Sequence, residues 1–231
     1  MECRDVVVLH QGRPVLDGIT LGLHAGESVG VIEAEDLSDS FLLRLFALIA
    51  PPASGDVYVR GLKVDFGRVR NLLALRKSVA YIPHTSALIS NLTLRDNVTL
   101  FDRYHNNRKP DEAVHRAMPL LERFDLVPYL DYRPAEVEAQ HRRKTVIVRE
   151  FLKDCFLVVF EKLRRDLSVQ DLKDLCDFLI EKKRDGTLTF LISEDDESLV
   201  RSICERRIEV SEGRILKDIA TGSSETTEVR P

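Results

Sequence analysis

The sequence predicts an α/β fold built on a mostly parallel sheet. Three observations carry that expectation. CFLVVFE (155–161) and TLTFLIS (187–193) are continuous apolar runs of strand length, as strands covered on both faces require. Segments of helical periodicity alternate with such runs, the order of repeated strand–helix units. The opening segments RDVVVL (4–9) and ITLGL (19–23) are short and joined by the turn QGRP, so they form an antiparallel extension.

The remaining elements follow in order. AGESVGVI (25–32) reads as a buried strand entered through Gly26, and SFLLRLFALIA (40–50) places apolar residues around most of a helix, which is therefore buried. PPASG (51–55) stops that helix, and DVYVRGLKV (56–64) returns as a strand with a turn at Arg60–Gly61. A basic helical stretch, RVRNLLALRK (68–77), leads to the strand SVAYIP, closed by Pro83. Residues 94–127 are helical in pattern apart from the polar loop RYHNNRKPDE, and RPAEVEAQHRRKTVIVREFLK from 133 is a loop leading into a charged helix. LSVQDLKDLCDFLIEKKRDG is an amphipathic helix with Ser168 as its cap and Gly186 as its stop. RRIEVSEGRIL is a hairpin about Glu212–Gly213, and the apolar-poor tail TGSSETTEVRP is disordered. The expected organisation is one domain over 1–220, a helical subdomain at roughly 90–150 inserted between sheet strands, and a disordered 221–231.

Composition narrows the function. With 231 residues, 44% hydrophobic and 31% charged, the chain has the profile of a globular protein with a real core. Its 34 basic and 38 acidic residues leave a net charge of -4, which argues against a dedicated nucleic-acid binder. No apolar run approaches the roughly 20 residues that span a bilayer, and MECRDVVVLHQGRP lacks the apolar segment of a secretory signal. Cys3, Cys155, Cys176 and Cys204 form no CxxC pair, so they are read as thiols in a reducing compartment.

Several stretches, in this order, resemble the nucleotide-binding subunits of ATP-binding cassette (ABC) transporters. RPVLDGITLGLHAGESVGVI is similar to the lead-in to that family's phosphate loop, and LLRLFALIAPPASGDVYVRG to the helix and strand beyond it. YIPHTSALISNLTLRDNVTL resembles the segment that touches the membrane subunit; SALISNLTLRDNV is closest to the lipid-trafficking (Mce/Mla-type) branch. LLERFDLVPYLDYRPAEVEAQHRRKTVIVREFLKD resembles the helical subdomain and signature helix, and TFLISEDDESL the last core strand and switch loop. The resemblance implies an ABC-type, P-loop NTPase-like fold, ATP and Mg²⁺ as ligands, and a transmembrane permease as partner through residues 84–100. It also implies a homodimer or a heterodimer with another ABC subunit, and a cytoplasmic position on the inner face of the cell membrane.

The motif residues depart from that pattern. A phosphate loop GxxxxGKS/T uses glycines so that backbone N–H groups converge on the phosphates, and a lysine to neutralise them. In register, this chain has Glu33 at the first glycine, Ser38 at the last, Asp39 at the lysine and Ser40 at the metal-binding hydroxyl. Two like charges about 4 Å apart cost about 1 kcal/mol even in bulk water. Several carboxylates therefore outweigh the roughly 0.3–1 kcal/mol that a helix N-terminus offers an anion. The expectation is that ATP is repelled; either Asp36, Ser38 or Asp39 caps the following helix from within the chain, or these acids simply point into water, and both readings lose the nucleotide.

Elsewhere the losses continue. Phe160 stands at the Mg-holding aspartate, and a phenyl ring offers a hard cation no oxygen. Glu161 matches the general base, although a strand-ending glutamate is more often simply solvated. His84 falls at the glutamine that senses metal and water, with a loop-surface histidine as the plainer reading. The LSGGQ signature aligns with Val137, Glu138, Ala139, Gln140 and His141; the switch histidine aligns with Glu194 and the adenine-stacking aromatic with His10. No metal ligand set and no cofactor are expected. The reading that results is a degenerate, non-hydrolysing subunit acting as a structural or regulatory partner of a permease in lipid transport. The alternatives are a weak ATP hydrolase working in a heterodimer with an intact partner, and a cation site where the acids at 33–39 and 194–197 converge.

Overall fold

The structure, a computed structural model, describes residues 1–32, 37–85, 87–186 and 188–220. Glu33, Glu35 and Asp36 of the acidic turn, and the tail 221–231, lie outside the described residues.

β1 (Glu2–His10) turns through Gln11 and Gly12, both at positive φ, into the antiparallel β2 (Arg13–Gly22). β3 (Ser28–Ile32) is buried along nearly its whole length. α1 (Ser38–Phe46) follows. It is shorter than its apolar run, because Leu48 takes φ 59 and the backbone leaves the helix before the prolines are reached. β4 (Ser54–Val59) and β5 (Leu62–Lys63) flank the Arg60–Gly61 turn, where both residues again have positive φ. These two strands extend the opening hairpin into a four-stranded antiparallel sheet of order β2-β1-β4-β5.

α2 (Val69–Arg76) leads into β6 (Val79–Ile82). The helical insertion then runs through α3 (Leu94–His105), α4 (Pro110–Arg123) and α5 (Ala139–Phe151) before the chain re-enters the sheet as β7 (Leu157–Phe160). The polar break between α3 and α4 is only residues 106–109, because Pro110 starts α4 at a position where its missing N–H costs nothing. α6 (Val169–Arg184) is capped as expected, with Ser168 Oγ accepting from the Asp171 N–H. β8 (Thr189–Glu194) follows, and then α7 (Glu197–Ile203), a helix that the acidic run SEDDES concealed. β9 (Arg206–Ser211) and β10 (Arg214–Ala220) form the closing hairpin.

The second sheet has the order β10-β9-β3-β8-β7-β6, parallel from β9 to β6. Period-two alternation divides it between two cores. Leu157, Val159 and Leu191 point to a core shared with α1 and the antiparallel sheet, whereas Val158, Phe160, Phe190 and Ile192 point to a core under the helical insertion. Gly30 in β3 is required by packing. A Cβ there would lie 2.2 Å from Val200 Cγ1 of α7.

Candidate functional site

The parallel strands β6, β7 and β8 end on one side of the sheet, where α1 also begins. Strands ending there hand their next residues to loops, so Glu161, directly after β7, and His84, two residues after β6, are brought together beside Ser40. The Glu161 carboxylate is the centre. Its residue is fully buried, which corrects the expectation of a solvated glutamate. Ser40 Oγ donates to Oε1 at 2.6 Å, and Tyr81 Oη and the His84 backbone N–H each donate to Oε2 at 3.0 Å. The His84 imidazole approaches too, with Nδ1 2.9 Å from Oε2, so that nitrogen faces the carboxylate while the ring stays half-buried.

The electrostatics follow from this enclosure. Burial by itself raises the Glu161 pKa, but the donors from Ser40, His84 and Tyr81 overcome it and hold the group below its ordinary value. The same carboxylate, after burial, pushes the Tyr81 hydroxyl up to about 12, so Tyr81 stays a donor. Ser40, expected at a metal, spends its proton on Glu161 instead.

Arg143 of α5 is the second clamp. It is fully buried, donating to the Glu161 carbonyl at 2.8 Å, the Lys162 carbonyl at 3.0 Å and the Pro83 carbonyl. Its guanidinium lies 5.0 Å from the centre of the Phe160 ring, and burial lowers its pKa to about 10. One side chain thus ties the β6 loop, the β7 end and the signature helix together. The helix read from sequence as charged turns Arg143 and Lys144 inward, and Lys144 Nζ meets Asp171 Oδ1 at 2.8 Å.

At the start of α1, Asp36 of the expected caps lies outside the described residues. Leu37 holds the cap position without a side-chain bond, and Ser38 Oγ accepts from the Gly213 N–H at 2.8 Å, joining α1 to the β9–β10 turn. Asp39 is buried in the first turn, where a carboxylate suits the positive helix end. His10 packs against Phe41, ring centres 5.1 Å apart.

Glu194 is buried and accepts from the Arg164 N–H at 2.8 Å and the Asp195 N–H at 3.0 Å. Burial, then a hydrogen bond with Asp195, pushes it up to about 7. Asp196 caps α7, and Glu197 pairs with Arg201 and Arg207. The 194–197 carboxylates are therefore engaged within the chain, and no cluster of three metal-ligating side chains occurs among the described residues.

The signature segment forms the entry to α5. Val137 is buried, Glu138 occupies the cap position, and Gln140 Nε2 donates to Glu138 Oε2 at 2.9 Å beside Ala139. His141 is turned into the protein, its ring centre 3.9 Å from that of Tyr129, and burial followed by Lys144 lowers its pKa.

The 84–100 segment is built around Asn97, which is fully buried. Its Oδ1 accepts from the Ile89 N–H, and its Nδ2 donates to the carbonyls of Ile89, Leu92 and Thr93. Thr93 caps α3 through the Asp96 N–H. Tyr81 and Arg143 were missed from sequence. The signals were a phenol inside the apolar run SVAYIP and a run of three cations inside a helix.

No protein-family model matches the chain. It is 28% identical over 207 residues to the methionine import ATP-binding protein MetN of Caulobacter vibrioides, covering 90% of this chain and 62% of that one. It is 28% identical over 211 residues to the cell division ATP-binding protein FtsE of Mycobacterium tuberculosis, covering 91% and 90%. Among solved structures, a dimeric post-hydrolysis ATP-binding cassette bound to ADP and Pi superimposes with a TM-score of 0.87 at 18% identity, covering 96% and 99%. The fold is that of the ABC ATPase cassette.

Proposed function

On an ABC cassette fold whose general-base position is already engaged, we propose a non-hydrolysing subunit, a structural or regulatory cytoplasmic partner of a membrane permease. One observation carries the reading. Glu161 is buried and contacted by Ser40, Tyr81 and His84, and the preceding residue, Phe160, offers Mg²⁺ no oxygen. General-base catalysis needs hydrogen-bond reach to the proton being removed. Here Ser40, the nearest hydroxyl, occupies that reach itself. The acids of the α1 entry add repulsion for a triphosphate.

The permease contact is supported by the Asn97-braced turn, which presents Ile89 at 43% exposure on the outside of a rigid segment. SALISNLTLRDNV is the basis for placing that permease in lipid transport. A weak ATP hydrolase in a heterodimer is the competing reading, favoured by the retained Ser40–Glu161 adjacency. Purification from native membranes tests the proposal. An integral membrane protein accompanies the chain, and phosphate release equals that of the Glu161→Gln variant; release above that level refutes it.

A further inference from the structure

The outward face of α2 is unlike that of an ordinary surface helix, which turns its polar side to water. With about 3.6 residues per turn, Val69, Leu73 and Lys77 follow one another along one stripe and Arg70 lies beside it. The stripe points away from the core: Val69 is 65% and Leu73 50% exposed, Arg70 and Lys77 are exposed too, and Leu72 alone of the helix is buried. Apolar residues scattered singly on a surface need no explanation, but contiguous ones beside a hollow mark an interaction site.

The hollow beside the stripe, of about 580 Å³, is lined by Arg70, Arg76, Lys77 and Lys153 around Leu73 and Phe101, and by no aspartate or glutamate among the described residues. Two of these cations are committed. Arg76 Nε donates to the Leu48 carbonyl at 2.8 Å, and Lys153 pairs with Glu150. The Arg70 and Lys77 side chains make no hydrogen bond or ion pair among the described residues. His105, on the same hollow, reports the positive field, since its pKa is lowered by burial and then by Lys77 and Lys153. Tyr104, 81% exposed, stands edge-on to His105 with ring centres 6.1 Å apart.

Exposed Val and Leu, a Tyr and free cations in one patch suit the headgroup boundary of an anionic bilayer. The apolar side chains enter the acyl edge, a tyrosine sits at the interface, and Lys and Arg reach the phosphates. Nucleic acid would leave Val69 and Leu73 unused, and the net charge of -4 opposes it. An adjoining hollow shares Phe101, His105 and Lys153 and is lined by Ile89, so the patch continues the segment proposed above to meet the permease. We infer that the α2 face, together with Tyr104, rests on the surface of a bilayer rich in acidic phospholipid. The contact is with lipid, and it goes beyond the permease reading without requiring it.

Flotation of the purified full chain with protein-free vesicles tests this. Expected is binding to mixed phosphatidylglycerol and phosphatidylcholine vesicles at low salt, none to phosphatidylcholine alone, and release as salt rises. R70Q/K77Q weakens binding by about tenfold, whereas R13Q/R214Q, on the two hairpins, leaves it within about twofold. The chain has no tryptophan, so L73W and L216W, at positions 50% and 53% exposed, each supply a sole indole emitter. Emission of L73W shifts to the blue on the anionic vesicles and that of L216W does not. Equal binding to the neutral vesicles, equal shifts of both emitters, equal losses in the two paired variants, or displacement by glycerol phosphate in solution overturns the inference. Absence of binding to any vesicle overturns it too and leaves the permease reading standing, since the vesicles carry no protein. Failure of a permease to co-purify from native membranes overturns that reading alone.

Discussion

Removing the Glu161 carboxylate separates a structural centre from a catalytic one. Glu161→Ala leaves the Ser40 hydroxyl, the Tyr81 hydroxyl and the His84 N–H without their acceptor in a buried site. Each unsatisfied buried group costs about 1–3 kcal/mol, and partial relaxation brings the sum to about 3–5 kcal/mol. For a chain of this length, about 2–4 °C per kcal/mol translates that into a fall of roughly 6–20 °C in Tm. Glu161→Gln keeps one acceptor oxygen but sets an amide N–H₂ against a donor, so its cost is about 1–2 kcal/mol. Calorimetric melts and denaturant midpoints read both, in the order parent, Gln, Ala. The folded pKa of Glu161 lies below 4.5, so this stability is present above the ordinary glutamate range and disappears as pH falls through the lowered value. Glu161→Gln lacks that acid step. A solvated glutamate would cost within about 0.5 kcal/mol, and a strained catalytic one would yield a more stable alanine variant. Either result for Glu161→Ala refutes the assignment.

Two further variants probe Glu194 and Gly30. Glu194 has the opposite sign: its folded pKa, about 7, lies above the ordinary 4.5, so its contribution declines as pH rises between those values. Glu194→Gln therefore flattens the profile and raises stability at pH 8 by about 1–2 kcal/mol, read by denaturant unfolding across pH. Gly30→Ala drives a Cβ into Val200 Cγ1 and costs about 1–3 kcal/mol in the same assay, and Gly30→Ala/Val200→Ala recovers part of it.

Much of the architecture was legible because apolar periodicity is set by burial. CFLVVFE and TLTFLIS became adjacent parallel strands, and the RRIEVSEGRIL hairpin and the Ser168 cap lie where their residues place them. Boundaries were less legible. α1 ends early because Leu48 adopts a left-handed backbone that no local residue signal announces. α7 was hidden because Asp196, its cap, stands inside an acidic run that reads equally as a solvated loop. At the site, sequence register named Ser40, His84 and Glu161 but could not show that they touch, since they are brought together by strand order. Burial of Arg143 was illegible for a related reason: a cation among cations reads as surface, and only the carbonyls of Pro83, Glu161 and Lys162 converging from two loops make its position tenable.

On the proposed reading, the chain's own side chains occupy the reach a nucleotide and its metal would need. Isothermal titration of the purified chain with ATP and Mg²⁺ tests it most directly. No saturable heat is expected, for the parent and equally for Asp39→Lys, because Phe160 and the engaged Glu161 remain. A saturable isotherm with a Kd in the micromolar range contradicts it.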